Sequence, residues 1–364
     1  MIALPDFPWD QLVPAADLAR THADGIVDLS VGTPVDPTPQ VIQEALRAAA
    51  DSPGYPFTAG TAELSDAVLG YLQRRCGASP RGMGVIPTIG TKEFVAWLPT
   101  LLGLGAGSTV AIPRTAYPTY RVGALIAGAR VVEADTIAEY EDAAPDLIWL
   151  NSPSNPTGEI LDAAHLAKIV SWARHRQIPV ISDECYFELA WTARSVSLLD
   201  EQVSGGSTEG ILALHSLSKR SNLAGYRFGF AAGDPQLVAS ILQVRKHAGM
   251  IVPMPIQMAA IAALGDDTHV EIQREVYLAR RNRLAPALES WGLRIDHSEG
   301  GLYLWATAGE PCWTTVGRLA QLGILVAPGD FYGQAGEHHV RVALTATDER
   351  IEAAVSRLMA ANRG

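Results

Sequence analysis

Short apolar runs alternate with amphipathic stretches along the middle of the chain. Most of these runs stop at Gly, Asn, Asp or a hydroxyl residue, which is typical of buried strands followed by turns. They predict strands at 85–90, 109–113, 130–133, 146–150, 179–184, 210–215 and 228–232. The stretches between them predict helices at 91–102, 118–127 and 163–176. This alternation predicts an α/β fold in which helices cover both faces of a mostly parallel sheet.

The pattern changes at the N-terminal side of this region. Pro5, Pro8 and Pro14 interrupt any long helix and predict an arm with a short helix at 14–22. The arm is followed by a predicted strand at 26–32, a helix at 38–50 with Thr38 as its N-cap, and a helix at 62–76.

Beyond Asp234 the chain becomes mainly helical and then mixed. We predict helices at 255–264, 268–291, 316–322 and 349–362, and strands at 293–295, 301–305, 324–328 and 339–344. The length of 364 residues favours two domains. We therefore expect an arm with part of the small domain at 1–40, a large domain at 41–265 and a small α+β domain at 266–364.

Composition narrows the class of protein. Apolar residues make up 48% of the chain and charged residues 18%, so a packed core is expected rather than disorder. The net charge of −11 disfavours nucleic acid and a polybasic membrane patch as partners. No apolar run is long enough for a membrane span, and the N-terminus lacks the basic start of a signal peptide, so a cytoplasmic protein is expected. Cys76, Cys185 and Cys312 are far apart, which predicts neither a disulfide framework nor a metal site.

Lys219 is the most suggestive single residue. It follows a predicted strand, with Ser216 and Ser218 just before it and Arg227 after it. A lysine on a turn is usually a solvated charge, but an amine in an apolar pocket can form a Schiff base with a carbonyl. Hydroxyls with an arginine can hold a phosphate. An amine beside a phosphate site suggests pyridoxal 5′-phosphate (PLP), which carries an aldehyde and a phosphate.

Other candidate residues lie just beyond predicted strand ends, where ligands of open α/β sheets bind. Gly90, Asn155 and Asp183 occupy such positions, so they are expected to converge on Lys219. The turn from Gly90 to Lys92 opens a helix and offers N–H groups to an anion. Taken singly, each residue has an ordinary alternative as a cap, a turn or a surface charge.

Together these segments resemble the fold-type I PLP-dependent aminotransferases of class I/II, which include aspartate aminotransferase. The matching motifs span nearly the whole chain: Tyr55 with Gly60, Gly90-Thr91-Lys92-Glu93, Ala116-Tyr117-Pro118, Ser154-Asn155-Pro156-Thr157-Gly158, Ser182-Asp183-Glu184-Cys185-Tyr186, Ser216-Leu217-Ser218-Lys219 with Arg227, and Arg341. The resemblance implies an aspartate aminotransferase-like fold with a mostly parallel seven-stranded sheet in its large domain.

The resemblance also implies a role for each matching residue. Lys219 would bind the cofactor and move the proton, and Asp183 would pair with the pyridine nitrogen. Asn155 and Tyr186 would contact the ring oxygen, and Tyr117 would stack on the ring. The phosphate would be held by Gly90, Thr91, Lys92, Ser216, Ser218, Arg227 and, from a neighbouring subunit, Tyr55. Arg341 would bind the α-carboxylate of an amino or keto acid, assisted by Asn155 and Gly32. A homodimer with shared active sites would be the functional unit.

A finer resemblance is to actinobacterial N-succinyldiaminopimelate aminotransferases of lysine biosynthesis, carried by 30–39, 216–222 and 340–345. It implies amino transfer between L-glutamate and N-succinyl-2-amino-6-oxopimelate. Arg220, next to Lys219, is a candidate for binding the distal carboxylate of such a diacid.

Other functions remain open. Aspartate, alanine or aromatic aminotransferases, and a PLP-dependent C–S β-lyase, would share the same cofactor residues. A sensor domain of a transcription regulator is disfavoured, because the short segment before residue 26 leaves no room for a DNA-binding domain.

Overall fold

The computed structural model describes residues 4–361. Its helices are α1 Val13–Arg20, α2 Gln40–Ala48, α3 Ala62–Cys76, α4 Thr91–Leu101, α5 Thr119–Ala127, α6 Ile137–Ala143, α7 Ala163–His175, α8 Glu201–Ser204, α9 Leu217–Arg220, α10 Pro235–Ala248, α11 Met254–Gly265, α12 Thr268–Trp291, α13 Cys312–Gln321 and α14 Asp348–Ala361. Its strands are β1 Val27–Asp28, β2 Gly84–Ile89, β3 Thr109–Ile112, β4 Arg130–Glu133, β5 Leu147–Asn151, β6 Val180–Asp183, β7 Ile211–Ser216, β8 Phe228–Gly233, β9 Arg294–His297, β10 Tyr303–Thr307, β11 Ile324–Leu325, β12 Ala327–Pro328 and β13 Val340–Ala343.

A seven-stranded sheet with the order β2-β8-β7-β6-β5-β3-β4 forms the larger layer. Only β8 runs against its neighbours, β2 and β7, so the predicted mostly parallel sheet is confirmed. The central strands are buried along their whole length, which explains their continuous apolar sequence. The register places Asn151 beside Asp183, so the carboxyl ends of β5 and β6 meet at one edge.

The C-terminal part forms an antiparallel sheet with the order β12-β13-β10-β9. The N-terminal segment joins this part through β1, which pairs in parallel with β11. The single strand predicted at 324–328 is wrong in detail. Its first half, β11, pairs with β1, and its second half, β12, pairs with β13, so the chain changes sheets at Val326.

The N-termini of α7 and α2 are held in different ways. Asp162 caps α7 by accepting a hydrogen bond from the His165 N–H at 2.8 Å. Thr38 does not cap α2, which begins at Gln40 without a side-chain cap. The Thr38 hydroxyl instead donates to the Asn222 carbonyl at 3.1 Å. A contact distant in sequence has therefore replaced the local one.

The structure leaves some predictions as they stood. The helix predicted at 349–362 is α14, and its last predicted residue, Asn362, lies outside the described residues. The domain bounds at residues 40 and 265 stay predictions, and residues 1–3 and 362–364 of those domains are also outside the description. No helix within residues 4–361 has the length and apolar character needed to cross a membrane.

Candidate active site

A cavity of about 500 Å³ opens at the carboxyl ends of β5, β6 and β7. It brings together most of the residues singled out in the sequence: Gly32, Thr91, Lys92, Tyr117, Asn155, Asp183, Tyr186, Ser216, Ser218, Lys219, Arg227 and Arg341. Gly90 lies directly behind this group, against Arg227. The large sheet supplies the floor of the cavity, and Tyr303 and Arg341 of the antiparallel sheet supply a facing wall.

Lys219 lies on the short helix α9, which begins where Ser216 accepts a hydrogen bond from the Ser218 N–H at 3.1 Å. Its ammonium group donates to the carbonyl oxygen of Gly32. Burial lowers the pKa of Lys219 below its usual value, because a charged amine loses hydration there. The neutral, nucleophilic amine therefore forms more readily here than on an exposed lysine.

Asp183 ends β6 and is buried. Tyr120 donates its hydroxyl proton to Oδ2 at 2.8 Å, and the Cys185 N–H donates to Oδ1 at 3.1 Å. Burial raises the pKa of Asp183, while the hydrogen bonds from Cys185 and Tyr120 act in the opposite direction. A cation placed against this carboxylate would complete its charge balance.

The opposite end of the cavity is built to hold an anion. Gly90 adopts a φ of 69° and a ψ of 157°, and α4 starts at the next residue, so the helix N-terminus faces the cavity. A Cβ on Gly90 would collide with the guanidinium group of Arg227. Arg227 is held by donating from Nη1 to the Ala224 carbonyl at 2.8 Å. Ser216, Ser218 and Thr91 line the same end.

Aromatic and amide side chains shape the space between these ends. Tyr117 stands edge-on to Tyr120 with ring centroids 5.8 Å apart, and burial raises its pKa to about 12. The Tyr186 hydroxyl hydrogen-bonds the Tyr303 hydroxyl at 2.9 Å. The Asn155 N–H donates to Asn151 Oδ1 at 2.8 Å, which fixes the loop that carries Asn155.

Arg341 is a buried cation, with 3% of its surface exposed. It donates from Nη1 to Asn155 Oδ1 at 2.9 Å and from Nη2 to the Ser30 carbonyl at 2.6 Å. The ring centroids of Tyr303 and Trp9 lie 4.0 Å and 6.0 Å from its guanidinium carbon. Its Nε is buried and has no hydrogen-bond partner among the described residues.

Several residues of the site are missing from the sequence-based predictions. Tyr120, Asn151, Trp9 and Tyr303 line the cavity or hold its polar groups. Asn151 could have been inferred, since it ends a strand just before a proline-rich loop. Trp9 and Tyr303 carry no local signal, because only the tertiary fold brings them to Arg341.

Two residues named in the sequence analysis, Tyr55 for a neighbouring subunit and Arg220 for the substrate, do not line the cavity of this chain. Tyr55 is 99% exposed and outside the cavity of its own chain. Arg220 was expected near the substrate, and this hypothesis is wrong. Its guanidinium carbon lies 4.8 Å from the Tyr71 ring, and its nearest carboxylates, Glu188 and Asp267, are each 3.9 Å away. The side chain is buried and does not line the cavity.

These groups fit PLP as a set. The buried amine of Lys219 suits the aldehyde, the Asp183 carboxylate suits a protonated ring nitrogen, and the cradle at Gly90 and Arg227 suits the phosphate. The guanidinium group of Arg341 in the facing wall suits a substrate carboxylate. This arrangement is that of an enzyme acting on amino groups through a carbonyl cofactor.

Comparisons with known proteins agree. The family model "Aminotransferase class I and II" matches residues 24–358, and the chain belongs to that family. It is 56% identical to the 4-dedimethylamino-4-oxo-anhydrotetracycline transaminase OxyQ of Streptomyces rimosus, over 98% of this chain and 100% of that protein. It is 59% identical to the probable aminotransferase Rv1178 of Mycobacterium tuberculosis, over 98% of this chain and 85% of that protein.

Among solved structures, the probable N-succinyldiaminopimelate aminotransferase of Thermus thermophilus is similar, with a TM-score of 0.87 and 26% identity over 98% of this chain and 100% of that one. The fold is thus aspartate aminotransferase-like, and the protein is a PLP-dependent aminotransferase. The predicted class, fold and cofactor are confirmed.

Proposed function

We propose that the protein exchanges an amino group between L-glutamate and N-succinyl-2-amino-6-oxopimelate, whose amino form is N-succinyl-LL-2,6-diaminopimelate. The observation that carries this proposal is Arg341, a buried guanidinium whose Nε has no partner among the described residues at the cavity wall. Both substrates carry a carboxylate on the carbon that gains or loses the amino group, and a buried arginine binds such a carboxylate strongly.

Each of these cavity residues has a separate proposed role in amino transfer. Bound PLP supplies an aldehyde for the amino group and a ring that accepts electrons from the substrate Cα. Lys219, with its lowered pKa, would move the proton between the substrate Cα and the C4′ atom of the cofactor. Asp183 would keep the ring nitrogen protonated, and Tyr117 would stack on the ring. Asn155 and Tyr186 would contact the ring oxygen.

The phosphate would be held by the N–H groups at Gly90, Thr91 and Lys92, and by Ser216, Ser218 and Arg227. Gly32 would assist with its backbone at the substrate side. These assignments rest on the positions of the groups around the cavity.

A diacid needs a second cation, and Lys92 is the best remaining candidate. The cationic side chains that line the described cavity are Lys92, Lys219, Arg227 and Arg341. The last three have roles at the cofactor or the α-carboxylate. The Lys92 ammonium stands 5.6 Å from the Phe7 ring centroid, beside the N-terminal arm, where the distal part of a long substrate would lie.

The proposal also includes the oligomeric state and the cellular location of the enzyme. We propose a homodimer in which Tyr55, fully exposed on its own chain, reaches the phosphate of the partner's site. We also propose a cytoplasmic location, where amino and keto acids of biosynthesis are available.

The identity to OxyQ favours a second candidate, in which the amino acceptor is a polycyclic ketone. The aromatic side chains of Phe7 and Trp9 line the cavity and would suit such a molecule. A C–S β-lyase would use the same cofactor residues. Release of pyruvate from cystathionine without any added keto acid would identify that activity.

A half-reaction screen tests the proposal. The PLP-loaded enzyme is mixed with single amino acids, and the absorbance of the lysine-bound cofactor is followed. We expect L-glutamate and N-succinyl-LL-2,6-diaminopimelate to reduce this absorbance, and L-alanine to reduce it less. If neither diacid reacts, the narrow assignment fails while the aminotransferase class stands.

Lys92→Met tests the distal contact. Because Lys92 is exposed, we expect KM for the dicarboxylic substrates to rise by no more than about fivefold, with alanine unaffected. Lys168→Met, an exposed lysine on α7, is the matched control. Equal KM values for Lys92→Met and Lys168→Met would contradict the role of Lys92.

A further inference from the structure

The three residues after the catalytic lysine, Arg220-Ser221-Asn222, do not enter the cavity. Ser221 is fully buried and hydrogen-bonds His269 Nε2 at 2.8 Å, while His269 Nδ1 lies 3.0 Å from Asp266 Oδ2. A carboxylate oxygen accepts, so Nδ1 donates to Asp266. Burial lowers the pKa of His269, which disfavours a second ring proton, and in the neutral ring Nε2 accepts from the Ser221 hydroxyl. This chain of contacts joins the lysine helix α9 to the start of α12.

Asn222 has a more unusual environment. Its φ of 51° is a left-handed conformation that asparagine tolerates better than other residues with a Cβ. Its side-chain amide donates to the Pro37 carbonyl at 3.1 Å and to Gln273 Oε1 at 2.8 Å. Its backbone carbonyl accepts from the Thr38 hydroxyl at 3.1 Å. Both amide protons of Asn222 are thus used to hold neighbouring segments.

The same N-terminal segment is held a second time at Asp36. Gln273 donates to Asp36 Oδ2 at 2.9 Å. Arg280 donates from Nη1 to Oδ2 at 2.8 Å and from Nη2 to Oδ1 at 2.6 Å, a bidentate pair. Both partners lie on α12, so Asn222 and α12 together clamp residues 36–38.

The clamped segment is continuous with the wall of the active site. Six residues or fewer before Asp36, the Ser30 carbonyl accepts from Arg341 and the Gly32 carbonyl accepts from Lys219. The Val31 carbonyl accepts from the Thr345 hydroxyl at 2.9 Å. Val31, Gly32 and Thr33 line the cavity. One short stretch therefore contacts both substrate-binding groups at one end and the clamp at the other.

We propose that Asn222 is a positioning residue, which fixes the cavity wall at residues 31–33 relative to Lys219 by holding the segment at Pro37 and Thr38. Asn222 is only three residues from Lys219. The clamp therefore connects Lys219, on one side of the substrate site, with the wall at 31–33 on the other. The inference rests on the proposed function only in taking the space between Lys219 and Arg341 as the substrate site.

Asn222→Gly tests this role, because glycine accepts the positive φ and removes only the side-chain contacts. The variant loses the two hydrogen bonds that the Asn222 amide donates and a longer one, at 3.5 Å, that it accepts from the Tyr277 hydroxyl, so the segment should loosen by roughly tenfold or more. We expect a nonspecific protease to cleave the segment at 31–36 about tenfold faster in the PLP-loaded variant than in the PLP-loaded wild type. We also expect KM for the amino donor to rise about tenfold, with kcat changed much less and PLP affinity unchanged.

The control is Gln177→Gly, which replaces an exposed residue with a similar φ of 57° at the end of α7. Asp36→Asn is a second variant, which preserves shape and weakens the pair with Arg280. It should show the same pattern if Asn222→Gly does not fold. Unchanged cleavage at 31–36, or faster cleavage without a rise in KM, would overturn the proposal.

The two proposals fail separately. The proteolysis test needs no substrate, and KM is measured with whichever amino donor the enzyme accepts. A negative result with glutamate therefore leaves this test intact.

Discussion

Asp183 shows how single residues set the chemistry of the cavity. Its pKa is raised by burial, yet its proposed role requires a carboxylate. The Tyr120 hydroxyl and the Cys185 N–H stabilise the charged form by donating to its two oxygens. The balance between burial and these donors decides how well Asp183 can face a cationic ring.

Tyr120→Phe removes one donor while keeping the ring stacked on Trp149, whose centroid is 4.9 Å away. The pKa of Asp183 should rise further, since a hydrogen bond to the charged form lowers it. A hydrogen bond to a charged group contributes about 1.5–3 kcal/mol, so PLP affinity should fall by roughly tenfold or more. The fall should be largest at low pH, because protonation of Asp183 then begins at a higher pH.

PLP titrations across pH measure this effect. Tyr117→Phe is the control, because it removes a hydroxyl from a cavity tyrosine, whereas the tyrosine that donates to Asp183 is Tyr120. Identical pH dependence of PLP affinity in Tyr120→Phe and the wild type would contradict the argument.

At the scale of elements, the sequence predicted what local periodicity determines. The strands of the large sheet and the residues just beyond their ends follow from apolar runs that stop at polar or glycine residues. Asp183 and Lys219 could be found in this way. Contacts from distant segments could not be found, as the positions of Trp9 and Tyr303 beside Arg341 show.

The hypothesis for Arg220 failed for a geometric reason. Arg220 follows Lys219 directly in sequence, but both lie on the helix α9. Consecutive residues on a helix point about 100° apart, so the neighbour of an inward-facing lysine faces another direction. Proximity in sequence was therefore a poor guide to proximity in the site.

The turn before α4 gives a prediction at this scale. Gly90→Ala introduces a Cβ at positive φ and into the space of the Arg227 guanidinium. The displaced arginine should no longer contact the phosphate. Losing this charge-assisted hydrogen bond should weaken the binding free energy of PLP by about 1.5–3 kcal/mol. We expect PLP affinity to fall roughly tenfold or more, measured by titration.

Gly205→Ala separates this effect from backbone strain. Gly205 also has a positive φ, 65°, but a Cβ there meets open space in the described part of the chain. It should lower stability to unfolding without changing PLP affinity. A similar loss of affinity in both variants would mean that strain, and not Arg227, is responsible.

At the scale of the whole molecule, the site is assembled from separate parts of the chain. Asp183 and Lys219 come from the large sheet and the helix that follows it, Arg341 from the antiparallel sheet, and Trp9 from the N-terminal arm. Pairing of β1 with β11 ties the arm to the C-terminal part. Tyr55 remains outside this assembly, which motivates the proposal that it serves a neighbouring subunit.

Mixing two inactive variants tests whether Tyr55 acts across a dimer. Tyr55→Ala should lack the phosphate contact, and Lys219→Ala the reacting amine. If sites are shared as proposed, a mixed dimer contains one site with Lys219 from one chain and Tyr55 from the other. Random reassociation would then restore roughly a quarter of the sites.

Lys219→Ala mixed with Arg341→Ala is the control and should restore nothing, because Lys219 and Arg341 line the cavity of one chain. Activity is measured after unfolding and refolding the mixture, with dimer formation checked by sedimentation. Dimers without restored activity, or a fully active Tyr55→Ala enzyme, would exclude this role for Tyr55.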